Sequence, residues 1–158
     1  MISSELARAL QGAGLRWKPI SGDFFRIDRP DLESDLFTVS DMTIEPHEFD
    51  TGTILGFNGT TEWALDSLAV EDALWLPRED QLRGLLRGTF RALQREGDGY
   101  RVDVEIAGLD DYFIAGDPSD AYALALLALI ERSAVPAPAP AAGRLDAGVD
   151  GSLGLGDE

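Results

Sequence analysis

The stretch SDMTIEPHEFD, residues 40–50, gathers His47, the chain's only histidine, with Asp41, Glu45, Glu48 and Asp50. Run as a strand, it places Glu45 and His47 on one face, two residues apart. Such a pair can share a metal ion with a third ligand from elsewhere, since imidazole and carboxylate both suit divalent cations. His47 beside a carboxylate can equally serve as a general acid–base pair, because imidazole titrates near neutral pH. The pattern is otherwise unspecific: there is no HExxH, no second histidine and no DxDxDG calcium loop. Pro46 between the two marks an edge or a bulge, and the plainer reading is a solvated edge strand. The expectation is therefore no metal, no cofactor and no catalytic residue. Asp41, Glu45, His47 and Glu48 are the set that a small metal-dependent or acid–base hydrolase-like enzyme would use instead.

A second group runs against the charge of the chain. Arg83, Arg87, Arg91 and Arg95 recur every fourth residue, and the apolar period of Leu82, Leu85, Leu86, Phe90 and Leu93 predicts one amphipathic helix over 77–93. Residues four apart on a helix are neighbours, so the arginines would form an oblique stripe next to Arg78. Read functionally, this is a binding face for an acidic protein, an anionic ligand, the chain's own acidic tail or a second copy of the chain. Read plainly, it is a solvated face paired with Glu79, Asp80 or other acids. Gly84 and Gly88 weaken the helix by about 1 kcal/mol each relative to alanine.

Other chemistry is excluded by what the sequence lacks. There is no cysteine, so disulfides, thiolate catalysis and cysteine-bound zinc are out. Neither a GxxxxGK[ST] phosphate loop, nor GxGxxG, nor a GxSxG nucleophile elbow is present. The formal net charge is −16, from 29 acids against 13 bases, and Lys18 is the single lysine. Such a field repels nucleic acid and anionic membranes. A nucleic-acid mimic is the sharper reading of that charge, and an ordinary acidic protein the plainer one. The first residues, MISSELARAL, show no basic stretch and no apolar run of a signal peptide, which makes cytoplasmic the expected location.

These groups must be held by a fold, and its organising stretch is DPSDAYALALLALIERS. Asp117 and Pro118 make a good helix start, and ten residues from Ala121 to Ile130 carry no polar group except the Tyr122 hydroxyl. A helix apolar all round must be covered, and ten apolar residues are too few to span a bilayer, which takes about 20. Upstream, Ser3 or Ser4 caps a short helix to about Gln11, and residues 15–20 read as an irregular or edge strand, marked as such by Pro19. Strands are expected over 24–27, 36–39, 43–49, 53–57, 60–65, 74–76, 100–106 and 112–115. Asn58-Gly59 is the strongest hairpin signal, with a short helix from Thr61 as the alternative to the strand after it. Gly97-Asp98-Gly99 and residues 108–111 are turns. From Val135 the character changes to VPAPAP and then to a glycine-rich acidic stretch, which predicts a disordered tail over 134–158 after a single domain over 1–133.

The segments GLRWKPISGD, GFNGTTEWALDS, ALWLPREDQLRGLL and AYALALL resemble an uncharacterised family of small actinobacterial proteins. Shorter phage-encoded proteins share the W-x-P…GD and WLP…QL pieces. The resemblance covers residues 3–131. Some members bear a pilus-assembly label, which usually denotes an ATPase-like protein. This chain lacks the phosphate loop such a protein needs, so that activity is not carried over, and the family supplies no catalytic residues. The expectation is an α+β domain with a mostly antiparallel sheet of about five to six strands, two main helices packed on it, a short N-terminal helix and a disordered C-terminal tail. Its expected role is a non-enzymatic acidic binding or interaction module.

Overall fold

The Ser3 hydroxyl accepts from the Leu6 N–H and caps α1, Ser4–Gly12, which buries Ala7 and Leu10. The chain is seen here in a computed structural model that describes residues 1–27, 35–40, 44–57 and 67–134. The Asn58-Gly59 turn, the strand expected over 60–65, Asp41, most of the polar loop at 28–35 and the tail from 135 lie outside the described residues.

Among the described residues, nine strands form three antiparallel sheets of three, in place of the single sheet of five or six expected. The first has the order β2-β1-β6, from Phe37–Thr38, Phe24–Ile27 and Ala73–Leu76. The second is β3-β4-β5, from Ile44–Phe49, Gly52–Phe57 and Ser67–Ala69. The third is β7-β8-β9, from Phe90–Glu96, Gly99–Ile106 and Leu109–Ala115. The sheets stay small partly because their edges are closed. Pro46 on the outer strand β3 has no N–H to offer, and the Tyr112 N–H on the outer strand β9 is taken by the Asp111 carboxylate at 2.8 Å. Residues 15–20 form no strand. The β8–β9 turn is tighter than expected: Ala107 and Gly108 make it alone, both at positive φ, and pairing resumes at Leu109. At the other end of β8, Gly99 is required by close approach, since a Cβ there would lie 2.6 Å from the Ala115 carbonyl oxygen.

The helix expected over 77–93 is two elements. α2, Glu79–Leu86, stops at Arg87, a 3-10 turn follows over Arg87–Thr89, and β7 begins at Phe90. Phe90 and Leu93 fit a helical period, but they are claimed by pairing with Val104 and Val102 of β8. The break is made at Arg87, whose φ of 51° and ψ of −131° suit glycine rather than a side chain. Such a residue stores about 1–3 kcal/mol of strain. Arg87→Gly is therefore expected to raise the thermal midpoint by a few degrees, read by calorimetry; an unchanged or lower midpoint would show that the arginine side chain contributes as much as the strain costs.

α3, Pro118–Ala134, packs against α1, α2, β8 and β9. It buries Ala121, Tyr122, Ala123, Ala125 and Leu126, while Leu124 and Leu127 are only half-buried, so the helix is not covered on every side. Its buried face joins Leu10, Leu74, Leu76, Leu82, Val102 and Val104 in one core cluster. A second cluster holds Phe25, Ile27, Ile44, Leu55, Leu68 and Ala73. The sheet β2-β1-β6 stands between them. Leu74 and Leu76 of β6 look towards the helices, and Ala73 looks towards β3-β4-β5. No helix of the described residues is long and apolar enough to cross a membrane.

Candidate functional site

Strand alternation puts Trp75 on the Ala73 side of β6, opposite Phe25 of β1. Trp17, from the irregular segment after α1, lies parallel to it, with ring centroids 6.3 Å apart and planes 8° apart, and also packs on Phe25 at 5.5 Å. Trp17 is fixed by its indole N–H, which donates to Asp23 at 2.9 Å.

Asp23 is 1% exposed and accepts four hydrogen bonds. Besides Trp17 these come from the Ile20 N–H at 3.1 Å, Arg78 at 3.1 Å and the Gln81 amide at 2.6 Å. Gln81 also accepts from the Arg78 N–H at 2.9 Å, closing the first turn of α2. Arg78 donates further to the Gly22 carbonyl and to Asp80. The hydrogen bond to Asp80, opposed by burial, holds the Arg78 guanidinium above its ordinary value. One buried carboxylate thus bolts the Trp17 segment to the start of a helix.

Beside the two tryptophans opens a cavity of about 330 Å³. Ala7, Leu10, Leu15, Val70, Ala73 and Pro77 give it an apolar base, and Gln11 and Thr53 add a carboxamide and a hydroxyl. Arg16 and Glu71 complete the lining; both are exposed. Among the described residues, neither of the two takes part in a hydrogen bond or ion pair. Glu71 reaches across to Gly52, where even a Cβ would be in ordinary contact, 3.8 Å from its carboxylate.

The two indoles use their N–H groups oppositely. That of Trp75 is buried without a partner, whereas that of Trp17 serves Asp23. Both phenylalanine substitutions remove similar bulk. Trp17→Phe should therefore cost more stability than Trp75→Phe, by about 1–3 kcal/mol, the penalty for leaving a buried charge short of a donor. Equal losses in urea unfolding would mean that the Asp23 bond contributes nothing.

The expected site residues lie elsewhere. Glu45 and His47 share a face of β3, as period two requires, and Glu48 is on the other face. His47 is exposed, and its ring lies over Gly56, where a Cβ would meet Nε2 at 2.8 Å. It does not line the cavity beside the tryptophans. No three His, Asp or Glu side chains of the described residues gather as a metal-holding group.

The arginine stripe does not exist as a helical surface. Arg83 and Arg87 are exposed at the end of α2, and Arg91 and Arg95 belong to β7. A bulge between Phe90 and Ala92 turns even these two apart. Arg91 pairs with Glu105 at 2.7 Å on the outer face, whereas Arg95 sits opposite Tyr100, its guanidinium 4.8 Å from the ring centre. A second cavity, of about 340 Å³, lies on that outer face beside Arg91 and Arg101. Most of its charges are already committed, Arg91 to Glu105, Arg101 to Asp103 at 2.7 Å and to the Tyr112 ring at 4.1 Å, and Asp111 to Arg132, which leaves Asp110.

Sequence reading passed over Trp17, Asp23, Trp75, Arg16 and Glu71. The available signal was the pair of tryptophans beside prolines, in WKP and WLP. No family model, no curated protein and no solved structure matches this chain, so the site stands on its own geometry.

Proposed function

We propose that this chain is a non-enzymatic binding module whose ligand enters the tryptophan-walled cavity. The observation that carries the reading is the cavity itself. Its volume of about 330 Å³ is that of a small-molecule site, with an apolar base, an aromatic wall and the polar side chains of Gln11, Arg16, Thr53 and Glu71. Acid–base chemistry at His47 would instead have to work from an exposed sheet edge, where Glu45 shares its face but His47 lines neither cavity of the described residues. Association through 77–93 would find only Arg83 within the helix and Arg87 at its end, which does not make a four-arginine docking face.

The test is a thermal-shift screen of the whole chain with neutral, cationic, anionic and zwitterionic small molecules, repeated on Thr53→Trp. Thr53 lines the cavity, and an indole there fills it. Binders should raise the midpoint of the parent and leave the variant unmoved. A variant that responds like the parent would move the site elsewhere, a screen without any binder would end the reading, and hydrolytic turnover lost in His47→Ala would replace it with the enzyme.

A further inference from the structure

We infer that the ligand of this cavity is a small zwitterion with an aromatic or bulky apolar body, of the size of a free amino acid. The inference rests on the binding reading above and adds the ligand's chemistry. Arg16 and Glu71 carry opposite charges, line one cavity and are engaged with nothing else among the described residues. Arg91, Arg101 and Arg132 have found carboxylates, in Glu105, Asp103 and Asp111, whereas Arg83 and Arg87, exposed like Arg16, line neither cavity. Two opposite charges that line one cavity without meeting suit a molecule that presents both signs.

The other charge classes fit less well. A simple anion would meet Arg16, but it must approach a chain of net charge −16 and sit beside Glu71. A simple cation is drawn by that field and by Glu71, yet it leaves its charge beside Arg16. A neutral apolar molecule uses the base and the tryptophans and leaves both charges to water. A zwitterion sets its ammonium towards Glu71 and its carboxylate towards Arg16, where a guanidinium can grip both oxygens. Its body then lies on Leu10, Leu15 and the indoles, which favour aromatic and branched groups.

The probes are L-phenylalanine, phenethylamine and 3-phenylpropionate, which share one body and differ in charge. Calorimetric titration of the whole chain is expected to show L-phenylalanine binding at least about tenfold tighter than either of the others, since a charge-assisted hydrogen bond is worth that much. Glu71→Gln should bring L-phenylalanine down to the level of 3-phenylpropionate, and Arg16→Gln down to that of phenethylamine. Both residues are exposed, so both variants should fold. If phenethylamine or 3-phenylpropionate binds as tightly as L-phenylalanine, the zwitterion is wrong while the cavity stands as a binding site. If none of the three binds at millimolar concentration, the zwitterion is likewise wrong, and the Thr53→Trp screen alone decides whether the cavity binds anything.

Discussion

Asp23→Ala should leave the protein about 3–5 kcal/mol less stable, a large part of the roughly 5–15 kcal/mol that holds a domain folded. The change removes the acceptor of four donors at once, and it does so at a position 1% exposed. Arg78 is 32% exposed and can turn its charge to water. The Trp17 indole, the Ile20 N–H and the Gln81 amide are part-buried and are left without their partner. Asp23→Asn should fall between, because its carbonyl keeps some acceptors while its NH₂ faces donors. Urea unfolding followed by tryptophan fluorescence reads both effects, because the Trp17 environment changes with them. A loss below about 1 kcal/mol for Asp23→Ala would show that the cluster rearranges around water at little cost.

Leu126→Asp should abolish the fold. Leu126 is 3% exposed among the core residues of α3, and a carboxylate placed there has no partner within the cluster. The penalty is several kcal/mol, comparable with the whole stability. The three leucines of this turn should rank in order. Leu127 is half-buried but still packs on the core, so its aspartate variant should be folded but weakened. Leu124 is half-buried and outside that cluster, so Leu124→Asp should be the mildest. Far-UV circular dichroism of the three variants tests the order. A cooperative melt for Leu126→Asp near the parent's midpoint would mean that α3 can rotate to expose this position.

What the sequence made legible was local. The Ser3 cap, the strand Phe24–Ile27, the alternation of Tyr100, Val102, Val104 and Ile106, and the Asp117-Pro118 start of α3 are all written in neighbouring residues. Partnerships were not. Nothing in Phe24–Ile27 says that it pairs with the distant Ala73–Leu76 as well as with the nearer Phe37–Thr38. The segment from Phe90 obeys two periods at once, and the choice between helix and strand was made by β8, which offers Val102 and Val104 as partners. The Glu45–His47 pairing on one face was readable from spacing, and the solvated edge from Pro46; the third strand of that sheet was not, because Ser67–Ala69 comes from further along the chain. Asp23 looked like a turn residue in SGD, since its four donors come from Trp17, Ile20, Arg78 and Gln81, on two separate segments.

The position of β6 between two apolar clusters governs how the molecule comes apart. Leu74 and Leu76 belong to one cluster and Ala73 to the other, so neither half can close without the same four-residue strand. The two halves are therefore not expected to be separate folding units: losing β6 should open both, in a single all-or-none transition. Trp75 lies on that strand as well. A molecule held against its ring should therefore stabilise both clusters together, α3 included.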